Sequence, residues 1–578
     1  MKKTIAILTL ALLALQAAAQ HDEQVTVEGK YRPKVNKVNK LQLTPETPQP
    51  SYAYPSTEVN PKDAKQKFDL TLEKIAPTGF ASKNDKLVNP TKNFLLAGIG
   101  TNLSPVFLYK HNSMLGKDFG LGVGVKHNSS WINIRNYAPS SYMNNAFDVN
   151  LTTSVVDGFQ IDAGVVYKND MYHYYGVNLD SIPLTDEEIE QYCPRHTYNT
   201  IGIHAGLAST STRLGELSHK GSIDYHYTFD NTYARENFVD VEYGLGYGQH
   251  WWGDKSYPQK VGVDVAFQYE CFDVSHWEGE LPVAGRNDLF LLKVNPFFEM
   301  SGEFYKLRLG VRFDGVNRIQ EDDKFFAVRP DVSGSLYVLN KKLEFYAGLN
   351  GGRKLTTYSE IIGENPFVGS DLMLLAQNVR FGFEGGVRTN IAEIVDVHLG
   401  VRYRNVDNDP LYMTYDYNID YTESPVPFNR FTLVYDETRT VSLLANVRLK
   451  MRNSLTADLG FAYNNCRPAN EECAWYRPTT EGKLKLTYDL NDQLAFNGSF
   501  LFQGGRYAKV VGFGEHGLAY TTQKLKNVFD LSLGADYKVN DQLTAFALLD
   551  NVLCQKYQLY YDYPVTGIQF FAGVKLRF

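Results

Sequence analysis

The chain has 578 residues, 43% of them hydrophobic, and a formal net charge of −7. So dilute a charge, with no basic tract, excludes nucleic acid as a partner. A mean hydropathy of −0.32, with no second apolar run of spanning length, excludes a bundle of membrane helices. Aromatic residues make up 13%, with 39 Tyr and 34 Phe, the excess expected where two interfacial girdles must be furnished.

In chain order, residues 1–19 read as a cleavable secretory signal. Met1-Lys2-Lys3 is a basic tip, Ile5 to Leu15 is an apolar core, and Ala17 and Ala19 are the small residues before the cut. That core is shorter than the roughly 20 residues a spanning helix needs. The first cysteine is Cys193, so no lipid anchor is expected at the new terminus. Residues 20–91 lack sustained periodicity and carry Pro33, Pro45, Pro48, Pro50, Pro55, Pro61, Pro77 and Pro90, besides the cluster Lys30, Arg32, Lys34, Lys37 and Lys40. They predict an extended arm, either periplasmic or threaded through the lumen of a barrel formed by the rest of the chain.

From residue 92 to residue 578 the apolar side chains alternate with a period of two. Phe119, Leu121, Val123 and Val125 alternate with Gly120, Gly122, Gly124 and Lys126. Val239, Val241, Tyr243, Leu245 and Tyr247 alternate with polar residues and glycine, and so do Phe529, Leu531, Leu533, Ala535 and Tyr537. Neighbouring side chains of a strand point to opposite faces, so one wall of each strand is oily and the other wet. The strict period, with no helix after it, also disqualifies the Gly-x-Gly-x-Gly run as a nucleotide loop.

Connections are alternately short and long. Short ones fall at Val155–Gly158, Val338–Lys342, Arg452–Ser454, Leu490–Asp492 and Val539–Asp541, and long ones at 169–198, 271–288, 352–377, 406–436, 504–525 and 552–565. The pattern predicts an all-β fold, a transmembrane antiparallel barrel of about 22 strands with periplasmic turns and extracellular loops. Its closing strand ends the chain, with Phe570, Val574, Leu576 and Phe578 on the lipid face. Trp251-Trp252 is expected in the periplasmic aromatic girdle.

The segment Leu543–Phe546 through Asp550-Asn551-Val552-Leu553, then Lys556-Tyr557, Tyr560-Tyr561, Tyr563-Pro564, Gly567 and the terminal Phe578, resembles the closing hairpin of TonB-dependent outer-membrane receptors. Gly98-Ile99-Gly100 through His127-Asn128-Ser129-Ser130 resembles early strands of plug-poor relatives of the Bacteroidetes type. Val25-Thr26-Val27-Glu28-Gly29 loosely resembles the motif by which such receptors meet an energy-coupling protein. The resemblance implies the outer membrane of a Gram-negative envelope, insertion by the barrel-assembly machinery, and a TonB-type coupler as partner; a surface or periplasmic lipoprotein is the partner expected of a scaffold. One departure stands out, because nothing in residues 20–91 is patterned like the family's folded plug. The lumen of so wide a barrel must then be filled by arm, loops or partner.

No local catalytic or phosphate-binding motif is present, so no enzyme, cofactor or metal site is expected, although groups on different strands can converge unannounced. Cys466 and Cys473 read as a loop-closing disulfide in an oxidising compartment. Thr185 and Glu188 are spaced as a capping box for a short loop helix. The stretch Asn405–Tyr421, with Asp407, Asp409, Asp416 and Asp420 among tyrosines, is expected to be a solvated loop tip rather than a sugar, peptide or calcium site. Function divides into two readings: a receptor or channel for a nutrient or macromolecular ligand, or a non-transporting scaffold that binds lipoproteins or other barrels.

Overall fold

The computed structural model describes residues 92–578, apart from residue 117 and the segments 155–157, 211–213, 254–256, 275–285, 318–324, 392–393, 416–428, 452–453 and 515–516. The signal, the arm and the coupling motif Val25–Gly29 lie outside the described residues.

The period of two becomes a single antiparallel sheet of 22 strands. It opens with β1 (Asn93–Gly100), β2 (Ser104–Leu115), β3 (Phe119–Ser130), β4 (Tyr142–Thr153), β5 (Phe159–His173), β6 (Arg195–Ser209), β7 (Leu217–Asp230), β8 (Arg235–Gln249) and β9 (Gln259–Asp273). Each strand pairs with the next in sequence. The last, Gln569–Arg577, pairs both with Leu543–Asp550 and with β1, where Leu95 faces Leu576 and Gly98 faces Gly573. The sheet therefore closes on itself and leaves no edge, which a bilayer requires of any β structure within it.

The short turns all fall on one side. Two are built by asparagine: the Asn491 side chain accepts from the N–H groups of Gln493 and Leu494, and Asn540 accepts from those of Gln542 and Leu543. Such side-chain acceptance mimics a backbone turn. The connection after Val338 instead takes Leu339, Asn340 and Lys341 through positive φ.

Outward side chains are apolar and uncovered, as at Ile99, Phe147, Ile203, Leu399, Leu459 and Leu533. Inward ones are polar and paired: Arg308 reaches Asp264 at 2.8 Å and Glu299 at 2.7 Å, and Arg329 holds the buried Asp314. An apolar exterior around a charged interior is the inverse of a soluble barrel and fits lipid outside, water inside. Trp251 and Trp252, expected in the girdle, are exposed, and Trp252 stacks on Phe298 at 5.6 Å. Phe570, Val574 and Phe578 are exposed, Phe578 by 55%, and Leu576 is half-buried.

One stretch departs from the wet inner face. Phe94, Leu96, Val106, Leu108, Phe546 and Phe571 form a buried apolar cluster inside the closing seam. Glycine makes room for it, since a Cβ on Gly100 would sit 2.2 Å from the Phe571 ring. Phe571, expected on the polar side by alternation, therefore lies flat on the wall instead of projecting into water.

Wall height is uneven. β1 has 8 residues, whereas Val395–Tyr415 has 21 and Arg430–Met451 has 22. A tilted strand crosses the bilayer in about 9–11 residues, so the long pair rises well beyond it. This corrects the reading of Asn405–Tyr421 as a solvated tip. Strand continues through Tyr415, Tyr412 is buried, and Asp409 takes two bonds from Arg477, at 2.5 and 2.7 Å, and one from Thr438 at 2.5 Å. Neighbouring strands supplied partners that the local run of Asp and Tyr did not reveal. Asp416, Tyr417, Asp420 and Tyr421 lie outside the described residues.

Candidate functional site: a cap across the outer mouth

The long connections fold inward, and their aromatic side chains meet in the largest buried apolar cluster of the described residues. It gathers Tyr172 from the end of β5 with Tyr174 and Tyr175 from the loop after it, Tyr358, Phe367 and Leu374 from another loop, and Tyr557, Tyr560 and Tyr563 from a third. These chains belong to widely separated strands, so the cluster spans the mouth of the barrel.

The connection 356–375 is its keystone. Thr357 caps a short helix α2 (Tyr358–Glu364), its hydroxyl accepting from the Glu360 N–H. Tyr358 is wholly buried, packed on Phe272 at 4.9 Å, and donates its hydroxyl to Asp230 at 2.8 Å. Ser370, near the far end of the connection, donates to the same carboxylate at 2.6 Å. Asp230 also accepts from the N–H groups of Thr232 and Ala234 and lies 3.2 Å from His196 Nε2. One buried carboxylate thus ties both ends of the connection to the opposite wall. Nearby, Glu236 accepts from the Ser359 N–H at 3.1 Å and contacts His226 at 3.0 Å.

Between those ties Phe367 stacks on Tyr563 with ring centroids 3.8 Å apart and meets Tyr175 edge-on. Tyr174 donates to the Val368 carbonyl and Tyr198 to that of Pro366. Phe431 exchanges backbone bonds with Phe367 and Gly369, and Tyr560 donates to the Glu364 carbonyl. Irregular backbone buried this deeply needs partners for its carbonyls, and tyrosine hydroxyls supply them.

A second set of ties holds the neighbouring loops. Arg506 donates to the carbonyls of Gln558, Leu559 and Lys526. Lys509 pairs with Glu471 at 2.8 Å, which also accepts the Trp475 indole N–H. The predicted capping box is present ahead of α1 (Asp186–Tyr192): Glu188 accepts from the Thr185 N–H, and Thr185 Oγ1 accepts from the Glu188 N–H. Burial pushes the Cys193 thiol up to about 12, and pushes the Asp562 carboxyl up to about 6 against a hydrogen bond from Gln558 that lowers it.

Below the cap, the turn side of the lumen holds a cavity of about 940 Å³ lined by Lys341, Arg388, His398, Arg448, Asp458 and Lys485 among others. Cys466 sits in the strand Leu455–Pro468 and Cys473 in the connection after it, both as free thiols. Of the cap residues, Tyr557, Tyr560 and Tyr563 stand out in the sequence only as part of the closing-hairpin resemblance. The available signal was the crowding of Tyr and Phe in segments that otherwise read as loops, such as Tyr172–Tyr175 and Tyr557–Tyr563.

No protein-family model and no curated protein matches the sequence. Solved structures do match. The siderophore receptor PirA from Acinetobacter baumannii superposes over 86% of this chain and 81% of its own, with a TM-score of 0.62 at 13% identity. The ferric-catecholate import receptor Fiu from Escherichia coli covers 85% and 82%, with 0.59 at 10%. FpvA from Pseudomonas aeruginosa, solved with a pyoverdine and iron, covers 85% and 72%, with 0.61 at 11%. The chain has the fold of a siderophore-receptor barrel. This is the same barrel type that the closing hairpin resembles, arrived at from backbone geometry instead of residue identity.

Proposed function

We propose that the protein is an outer-membrane receptor of the TonB-dependent transporter type, whose conduit is closed from outside by its own loops. The observation that carries the reading is the keystone connection 356–375, tied at both ends to Asp230 and stacked at its centre on Tyr563. A scaffold that moves nothing has no use for a lumen wide enough to need such a seal, whereas a conduit without one would leak. Several of the receptors that superpose on it are named for siderophores or ferric catecholates, which makes a chelated metal or a nutrient of similar size the first cargo to try. Val25–Gly29 is the proposed contact for a TonB-type coupler, and the barrel-assembly machinery and an outer-membrane lipoprotein are proposed partners.

The test is an in-frame replacement of residues 358–371 by a short glycine linker in a chain that also lacks residues 20–91, so that neither loop nor arm can fill the lumen. Single-channel conductance should appear in planar bilayers, and cells should become sensitive to antibiotics too large for porins. A variant that assembles normally yet passes no current would remove the transporter reading in favour of the scaffold.

A further inference from the structure

Two short runs on adjacent strands share the order His-Asn-Ser: His111-Asn112-Ser113 on β2 and His127-Asn128-Ser129 on β3. In each, the histidine and serine lie on one face of the strand, and an asparagine from a neighbouring strand stands directly opposite the histidine. His111 Nε2 lies 2.8 Å from Ser113 Oγ, and its Nδ1 lies 2.7 Å from Asn93 Oδ1. His127 is 3.1 Å from Ser129 Oγ and 2.7 Å from Asn145 Oδ1.

Protonation at the first site is set by its neighbours. Asn93 Nδ2 donates to the Phe578 carbonyl oxygen at 3.1 Å, which fixes the amide and leaves Oδ1 as the acceptor. Tyr109 donates to that Oδ1 at 3.0 Å. An acceptor at Nδ1 forces His111 to carry its proton there. Nε2 is then free to take the proton of Ser113. A nucleophile, a base and a group that orients the base are the parts of a hydrolytic triad, and asparagine fills the orienting role in some of them.

The site faces lipid. Val106 and Leu108 of β2 are buried on the inner face, so Tyr109, His111 and Ser113 point outward, as does Asn93, which shares a face with the exposed Ile99. It lies beside the C-terminal strand, next to the turn that starts at Gly116. That is the height of the periplasmic leaflet's interface, where the ester carbonyls of a glycerophospholipid reside. Ser113 is half-buried, whereas Ser129 at the outer end of β3 is wholly buried.

We propose that Ser113, His111 and Asn93 form a lipid-facing acyl-ester hydrolase site, distinct from the conduit. Ser113 Oγ attacks the ester carbonyl carbon while its proton passes to His111 Nε2. Collapse breaks the ester C–O bond, the proton goes to the departing glycerol oxygen, and an acyl-Ser113 remains. Water attacks the acyl carbon by the same route, releasing the fatty acid and restoring serine. Asn93 is a positioning residue. A strand spends its backbone N–H groups on the ladder, so the described strand residues of the site offer none of the loop or helix donors that usually hold an oxyanion, and turnover is expected to be slower by roughly 10²–10³.

The experiment uses the full-length barrel in phospholipid–detergent micelles with a fluorophosphonate probe. A single adduct should map to Ser113, with slow fatty-acid release that S113A and H111A both abolish and S129A leaves unchanged. N93A should slow labelling and shift its pH dependence. All variants are checked for heat-modifiable electrophoretic mobility, so a folding defect is not mistaken for loss of chemistry. No adduct on Ser113 in the folded wild type, or fatty-acid release that persists in S113A, would overturn the assignment and leave the residues as polar groups satisfying one another at the membrane interface.

Discussion

Single side chains decide how the mouth is held. Asp230 collects donors from Tyr358, Ser370, Thr232 and Ala234 in a site its neighbours bury completely, so removing it strands several polar groups at once. Losing one partner of such a buried set costs about 3–5 kcal/mol. Asp230→Ala should loosen the cap without unfolding the barrel, seen as new proteolytic cleavage within 356–375 at unchanged heat-modifiable mobility. Resistance equal to wild type would mean that the stacked rings, and not the carboxylate, hold the connection. Asp562 works in the opposite sense. Burial raises its carboxyl to about 6, so the folded cap prefers the neutral form. Its stabilising contribution is therefore complete below the unfolded value near 3.8 and is lost as pH rises through 6. Asp562→Asn should raise the cap's resistance to proteolysis at pH 8, by an amount on the order of 1–2 kcal/mol after allowance for partial solvent contact, and change little at pH 4. An equal effect at both pH values would sink the argument.

At the scale of strands and loops, legibility followed the range of the forces involved. Alternation at Phe119–Lys126 and Phe529–Val539 was readable because one face meets lipid and the other water, a contrast written into every second residue. Turns at Asn491 and Asn540 were readable because their bonds close within three residues. The stretch around Asp407 and Asp409 was not. Its partners Arg380, Arg477 and Thr438 come from other strands and loops, so a run that looks fit for solvent is part of a tall wall. Filling of the lumen by loops was legible, but the pairings of the cap were not, for the same reason, since Tyr174 meets Val368 and Tyr563 meets Phe367 across long sequence separations. The triad geometry sits between these cases. His-x-Ser within one strand was in plain view, but Asn93 becomes relevant only once pairing sets it opposite His111.

For the molecule as a whole, everything rests on the seam where the last strand meets the first. The strands there are the shortest of the wall: 8 residues in β1, 8 in Leu543–Asp550 and 9 in Gln569–Arg577. At about 3.3 Å per residue and a tilt near 40°, such strands rise only about 20–23 Å, short of an apolar band about 25 Å tall, so each pair at their ends matters. Phe578 supplies the final one: Asn93 N–H donates to its carbonyl at 2.8 Å, and its own N–H donates to the Asn93 carbonyl at 3.1 Å. Its ring lies outward at the lipid boundary, where an aromatic side chain is favoured. Deleting Phe578 removes two backbone bonds, an interfacial ring and the acceptor that fixes the Asn93 amide. Assembly should fall several-fold, measured as the fraction of heat-modifiable barrel in the membrane. Phe578→Ala keeps the backbone pair and should lie between the deletion and wild type. If the deletion assembles as well as wild type, closure does not depend on the terminal residue, and the seam is held instead by the inner cluster around Leu96 and Phe571.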